Sequence, residues 1–189
     1  RKRPGIHSKS KSSNLKSINL SNSDVRNVTI EKIGNWMGTS ILEVLNISGC
    51  KAVKDAGATA VLEGLKQSSS MKSLAMDWDR ISLSLVGQFI ATNSVAIPSA
   101  MELNVGSVEE AEFLGDALAA NDNMTSVSFT NSNFNIVLKD LREIKSLQLS
   151  EGKITDMDII TVCKILGAKN TSLESIDVSE NPNLSENAG

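Results

Sequence analysis

Seven times along the chain an apolar residue is followed, three and five positions later, by two more. The sets are Leu15-Ile18-Leu20, Leu42-Leu45-Ile47, Met71-Leu74-Met76, Ala100-Leu103-Val105, Met124-Val127-Phe129, Ile144-Leu147-Leu149 and Leu173-Ile176-Val178. Their first members fall at 15, 42, 71, 100, 124, 144 and 173, in steps of 27, 29, 29, 24, 20 and 29. Apolar residues two apart share one face of a strand. The first member packs the turn that leads into it. One short strand cannot bury such a face alone, but parallel copies about 4.8 Å apart can. The pattern therefore predicts seven short strands in parallel.

Between these strands the apolar period becomes helical. Residues 55–67 put Ala58, Val61, Leu62 and Leu65 on one face. Residues 107–121 open with the capping box Ser107-x-x-Glu110 and carry the stripe Ala111, Leu114, Ala117, Leu118. Residues 155–170 start at a Thr155 cap, with Ile159, Val162, Ile165 and Leu166 facing in. Residues 82–93 form a fourth helix and 28–38 a weaker fifth. The fifth copy, 124–143, is only 20 residues long and has room for a turn or a 3₁₀ segment where a helix belongs. Phe134 in it is either exposed or plugs the space of the missing helix.

The phrase LEVLNISGCKAVKDAGATAVLEGLKQSSSMKSL (42–74) resembles leucine-rich repeats of the ribonuclease-inhibitor type. Cys50 stands at the Asn/Cys position of that pattern, and Asp55, Gly57 and Ala58 match its helix opening. Residues 153–176 repeat the phrase, and ENPNLSENAG at the end matches the start of an eighth copy. The resemblance implies an α/β solenoid, a curved horseshoe arc with a parallel β-sheet on the concave face and helices on the convex face. It covers residues 14–189 as about seven repeats, cut inside an eighth, with more repeats expected beyond. Only Cys50 and Asn181 fill the Asn/Cys position; Ser23, Asp79, Val108, Ser132 and Gly152 stand there in the other copies. That position satisfies backbone groups in the turn, so loops of altered geometry are expected in those five.

Charge separates an arm from this body. Residues 1–16 hold six basic residues and no acidic one; the other 173 hold 13 basic and 22 acidic. Residues 1–13 form a basic N-terminal arm. It is a passive leader, an electrostatic tether to an acidic partner or membrane, or a transit remnant. It carries no aromatic platform for stacking bases. No apolar run approaches the roughly 20 residues of a membrane-crossing helix.

The chain has two cysteines, Cys50 and Cys163. A disulfide framework needs more, and reduced thiols imply an intracellular, cytoplasmic protein. Cys50 is expected in a repeat loop and Cys163 in a helix core. Six Asn-x-Ser/Thr sequons begin at Asn19, Asn27, Asn46, Asn123, Asn170 and Asn183, a consequence of a chain rich in Asn and Ser.

Catalytic groups are few. His7 is the only histidine and lies in the arm; there is no tyrosine. A Ser-His-Asp triad or a histidine metal site is excluded on that count. Gly152-Lys153-Ile154-Thr155 lacks the upstream glycine of a phosphate loop. Paired acids at Glu109-Glu110 and Asp156-x-Asp158 suit the first turns of helices. The sequence points to no enzyme, no cofactor and no small-molecule substrate.

Binding residues are sought on the strand face. The column before the second apolar position holds Ser17, Val44, Ser73, Glu102, Ser126, Ser146 and Ser175. The next holds Asn19, Asn46, Ala75, Asn104, Ser128, Gln148 and Asp177. These side chains are small, polar and without an aromatic or arginine anchor. They are not a basic nucleic-acid surface. The loop Asp77-Trp78-Asp79-Arg80 offers an indole flanked by charges, or a tryptophan folded over a repeat edge; Trp36 is expected in a helix core. The candidate binding residues are therefore Asn19, Asn46, Asp77, Trp78, Arg80, Glu102, Asn104, Gln148 and Asp177. The resulting expectation is a non-catalytic scaffold that recognises or braces another protein, alone or within a larger complex. The rival expectations are a regulator of a GTPase, since the repeat type resembles GTPase-activating proteins of the Ran pathway, and an extracellular receptor fragment.

Overall fold

The computed structural model describes residues 14–132, 134–150 and 152–185; the basic arm with His7 lies outside them. All seven predicted strands form, but not as one sheet. β1 (Ser17–Asn19), β2 (Val44–Asn46) and β3 (Ser73–Ala75) make a parallel sheet. β4 (Ala100–Leu103), β5 (Ser126–Phe129) and β6 (Phe134–Val137) make a second, in which β6 is antiparallel to β5. β7 (Ser146–Gln148) and β8 (Ser175–Asp177) make a third, parallel again. The helices are α1 (Asn27–Met37), α2 (Asp55–Gln67), α3 (Leu83–Ala91), α4 (Val108–Ala120), α5 (Leu138–Glu143) and α6 (Asp156–Lys169).

Register follows the apolar pattern. Ile18 lies beside Leu45 and Leu45 beside Leu74; Leu147 lies beside Ile176. The fourth copy departs from expectation. Met101, not Leu103, lies beside Val127, and Leu103 lies beside Phe129. Its first position is thus Pro98, and the flanking steps become 27 and 26 instead of 29 and 24. Glu102 moves to the column of Asn19 and Asn46, Asn104 to the one after it, and the turn position from Val108 to Gly106.

The fifth copy also departs. Phe134 and Ile136 alternate with Asn135 and the exposed Val137, and the segment folds back as β6 before the six-residue α5. Phe134 stacks on Phe129 across the hairpin, ring centres 6.4 Å apart and planes at 16°. Such cross-strand aromatic pairs hold a hairpin register. β6 takes the edge of β5 that β7 would otherwise use, so β7 starts a new sheet.

A single hydrophobic core runs from Ile30 to Leu166. Polar side chains tie copy to copy. The first residue of a helix accepts the N–H of the residue that opens the helix one copy later: Asn27 from Lys54 at 2.9 Å and Asp55 from Ser82 at 2.8 Å. Asp156 accepts the Ser185 N–H at 2.8 Å. The turn position works as expected where it is filled: Cys50 Sγ donates to Leu20 O at 3.0 Å and Asn181 Nδ2 to Leu149 O at 2.7 Å. The residue before it takes positive φ in three copies: Asn22 (58°), Gly49 (73°) and Glu180 (57°). Thr155 closes a full capping box with Asp158. Glu110 instead reaches past Ser107 to the Gly106 N–H at 2.8 Å. Trp36 is half-buried against the core. Cys163 is exposed rather than in the core, because α6 turns that face to solvent.

Candidate binding site at a break in the strand layer

β3 and β4 do not pair. The short α3 ends at Ala91, and the returning chain turns inward, burying Ala96 and Ile97 beside β3. One backbone bond, Leu74 N–H to Ala96 O at 2.9 Å, crosses the junction. Pro98 has no N–H to add, and pairing restarts at Ala100. Bonds from Ile47 and Lys72 commit β3's Ala75 carbonyl and its leading end to β2. Bonds to Ser99 O and Leu103 O commit the odd residues of β4 to β5. Successive residues of a parallel strand point their amides to opposite sides. Leu74 C=O and Met76 N–H therefore face the break from one side, and the Glu102 amide from the other, without a backbone partner among the described residues.

Two cavities open at this break. One of about 480 Å³ is lined by Trp78, Asp79, Glu102, Asn104, Glu110 and Thr130 with apolar neighbours. The other, of about 490 Å³, is lined by Ser48, Lys72, Ser73–Met76, Trp78 and 95–98. Trp78 belongs to both. It sits in a single 3₁₀ turn, Trp78–Arg80, half-buried, and meets Phe89 edge to face at 5.2 Å. The tryptophan is thus both folded onto the repeat and presented to the break.

Three of the nine residues predicted from sequence, Trp78, Glu102 and Asn104, come together in the first cavity. The others do not join them. Asn19, Asn46 and Asp177 turn their Oδ1 onto the N–H two residues ahead, at 3.0 Å in each case. These are turn-forming acceptors, and the bonds from Ser179 hold the Asp177 carboxyl below its ordinary range. Asp77 accepts the Gly49 N–H at 2.9 Å, where the first copy uses a backbone carbonyl (Asn22 N–H to Ser48 O). Its other oxygen holds Arg80 Nε at 3.0 Å. Asp77 and Arg80 are therefore a structural clamp beside the site. Gln148 donates to Ser146 Oγ at 3.3 Å on the third sheet.

Sequence reasoning missed Asp79 as a separate member, and Glu110 and Thr130, which reach the cavity from α4 and the end of β5. No local signal marks them, since they meet only through the break. It also missed a pair of corner asparagines. Asn121, fully buried, donates to Ile90 O at 2.6 Å and accepts from Asn123 and Met124. Asn170 does the same with Leu141, Ile144, Ser172 and Leu173. Their signal was legible: an Asn three residues before the first apolar position in two copies.

Residues 40–62 match the family model for the leucine rich repeat. This stretch is similar to a leucine-rich repeat. It spans β2, the Cys50 turn and the opening of α2, the part of the chain where strand, turn and helix keep the most regular spacing. A search of curated proteins finds no match to the chain. Leucine-rich repeats serve in general as protein-interaction modules. Among the described residues there is no group of three or more His, Cys, Asp or Glu placed to hold a metal ion, and no helix long and apolar enough to cross a membrane.

Proposed function

We propose that the chain is a non-catalytic recognition or scaffold module, built from leucine-rich repeats of the ribonuclease-inhibitor-like type. In this reading the strands line the concave side of a curved solenoid and the helices its convex side. The partner is another protein inside the cell, in the cytoplasm. The observation that carries the reading is the leucine-rich-repeat match at 40–62, whose strand recurs in register on both sides. The polar outer faces of the strands and the cleft at Trp78 supply surface for contact.

Two features support the intracellular setting. Cys50 Sγ lies within hydrogen-bond reach of Leu20 O as a thiol. The Asn170 side chain spends its amide on two carbonyls inside the corner, which leaves no room for a glycan there.

Crosslinking mass spectrometry on the protein purified from its native source tests the reading. Crosslinks from the strand face or the 77–80 turn to one dominant protein are expected. Crosslinks confined to the N-terminal lysines, spread over many acidic partners, would assign binding to the arm and leave the repeats as its carrier.

A further inference from the structure

We propose that the break between β3 and β4 receives an extended segment of a partner protein that carries lysine or arginine, added as a strand along the open edge. This rests on the recognition role above and gives it a location and a partner chemistry.

The backbone makes the first argument. Leu74 C=O and Met76 N–H on one side, and the Glu102 amide on the other, face the gap without a backbone partner among the described residues. Open strand edges are templates for another strand, and strand addition takes its affinity from such main-chain groups. The adjoining cavities, about 480 and 490 Å³, are large enough for side chains on alternate residues of that strand.

Charge makes the second. The cations near the break are already committed: Lys72 to Glu43 at 2.6 Å, Arg80 to Asp77 at 3.0 Å. Asp79 and Glu102 carry no ion pair among the described residues and stand on opposite sides of the gap. Their field rejects acidic segments and nucleic acid and attracts a cationic side chain. Between them the Trp78 ring, fixed by Phe89, supplies a π surface for the same cation. Backbone edge, carboxylates and indole thus agree on one ligand class, an extended basic peptide.

The test uses the full chain and a fluorescent nonapeptide alternating lysine and valine, read by anisotropy at low salt. Saturable binding is expected. Methylating the amides along one edge of the peptide should weaken it about tenfold, the cost of two or so hydrogen bonds. Replacing its lysines by glutamate should abolish it. Asp79→Lys and Glu102→Lys should each weaken it several-fold while leaving the melting temperature unchanged, since both side chains are exposed. Equal affinity for the edge-methylated peptide overturns strand addition. Unchanged affinity in both charge reversals overturns the site. Binding that appears only when residues 1–13 are deleted assigns the break to the chain's own basic arm and overturns a partner as occupant. A failed peptide alongside a specific crosslinked partner would sink this inference and leave the recognition role standing.

Discussion

The first two copies and a last block, copies four to six, bring their helices together in different ways. In the first block α1 and α2 are sequence neighbours and touch through glycine: a Cβ on Gly64 would run into the Gly34 carbonyl, and one on Gly34 into the Ala60 carbonyl. In the last block α5 is only six residues long, and α6 reaches past it to α4. That contact also uses a glycine, Gly115, which lies against Lys164 and the Thr161 carbonyl. Thr161, fully buried, donates to Ala111 O at 3.3 Å across the same seam. The corners differ as well. Serines close them in the first block, Ser40 to the Leu42 N–H at 3.2 Å and Ser68 to the Ser70 N–H at 3.3 Å. Buried or half-buried asparagines close them in the last, with bonds back to the helix end of the preceding copy and forward to the loop ahead of the next strand. A regular stack needs little from any one polar residue. A stack with a shortened copy concentrates the work in a few.

The comparison can be broken most sharply at the helix seams. Gly64→Ala should cost about 3 kcal/mol in urea unfolding, because its methyl meets backbone that cannot move aside. Gly115→Ala should cost about 2 kcal/mol, less than Gly64→Ala because its methyl would meet the Lys164 Cβ rather than a backbone carbonyl, though α6 must still move to clear it. Equal costs would mean that the two seams are equally rigid.

The corners come next. Asn121→Ala strands the Asn123 and Met124 N–H groups at a fully buried side chain and should cost about 2 kcal/mol. Ser68→Ala, which loses two long, partly exposed contacts to Ser70 at 3.3 Å, should cost about 0.5 kcal/mol. A difference in the opposite sense would contradict the concentration of polar work in the last block.

A smaller effect separates the turns. Glu180 holds positive φ at the position where the second copy has Gly49. Glu180→Gly should therefore stabilise by about 0.5 kcal/mol, relief of a left-handed side chain exceeding the entropy glycine adds to the unfolded chain. A loss of stability would show that the Glu180 side chain makes contacts that outweigh the strain.

The smallest effect belongs to charges that cross the first sheet. Glu43 holds Lys16 at 2.8 Å and Lys72 at 2.6 Å. Hydrogen bonds from Lys16, then from Lys72, lower its carboxyl from 4.5 to about 2. A depressed folded pKa means stability that is present above pH 4.5 and is lost as pH falls through about 2. Carboxyl NMR titration should give a midpoint near 2, moving toward 4.5 in high salt as the exposed pairs are screened. A midpoint near 4.5 at low salt would mean that the pairs are not held in solution.

Much of this was legible in the residues themselves. Apolar spacing of three and two located the seven parallel-type strands, the fourth two residues out of register, and helical stripes placed five helices within a residue or two. Ser107 and Thr155 announced their caps. These features are local: a strand face or a first helical turn is specified by the few residues that make it. The candidate site was legible in Trp78, conspicuous in a chain with two tryptophans, and in Glu102 and Asn104 from the strand columns; that the three meet at a break was not.

What the sequence alone determined is the repeat: its period, its order of strand, turn and helix, and the polar outer face of each strand. The tertiary structure alone decided where the stack is interrupted. Ala100 and Pro98 are equally plausible starts for the fourth copy until Met101 is found beside Val127. FNIV could be turn or strand until Phe134 lands on Phe129. Both outcomes depend on which neighbour takes a strand's free amides, a choice between segments tens of residues apart. That competition is settled by packing, and it is what leaves Trp78, Asp79 and Glu102 around one open edge.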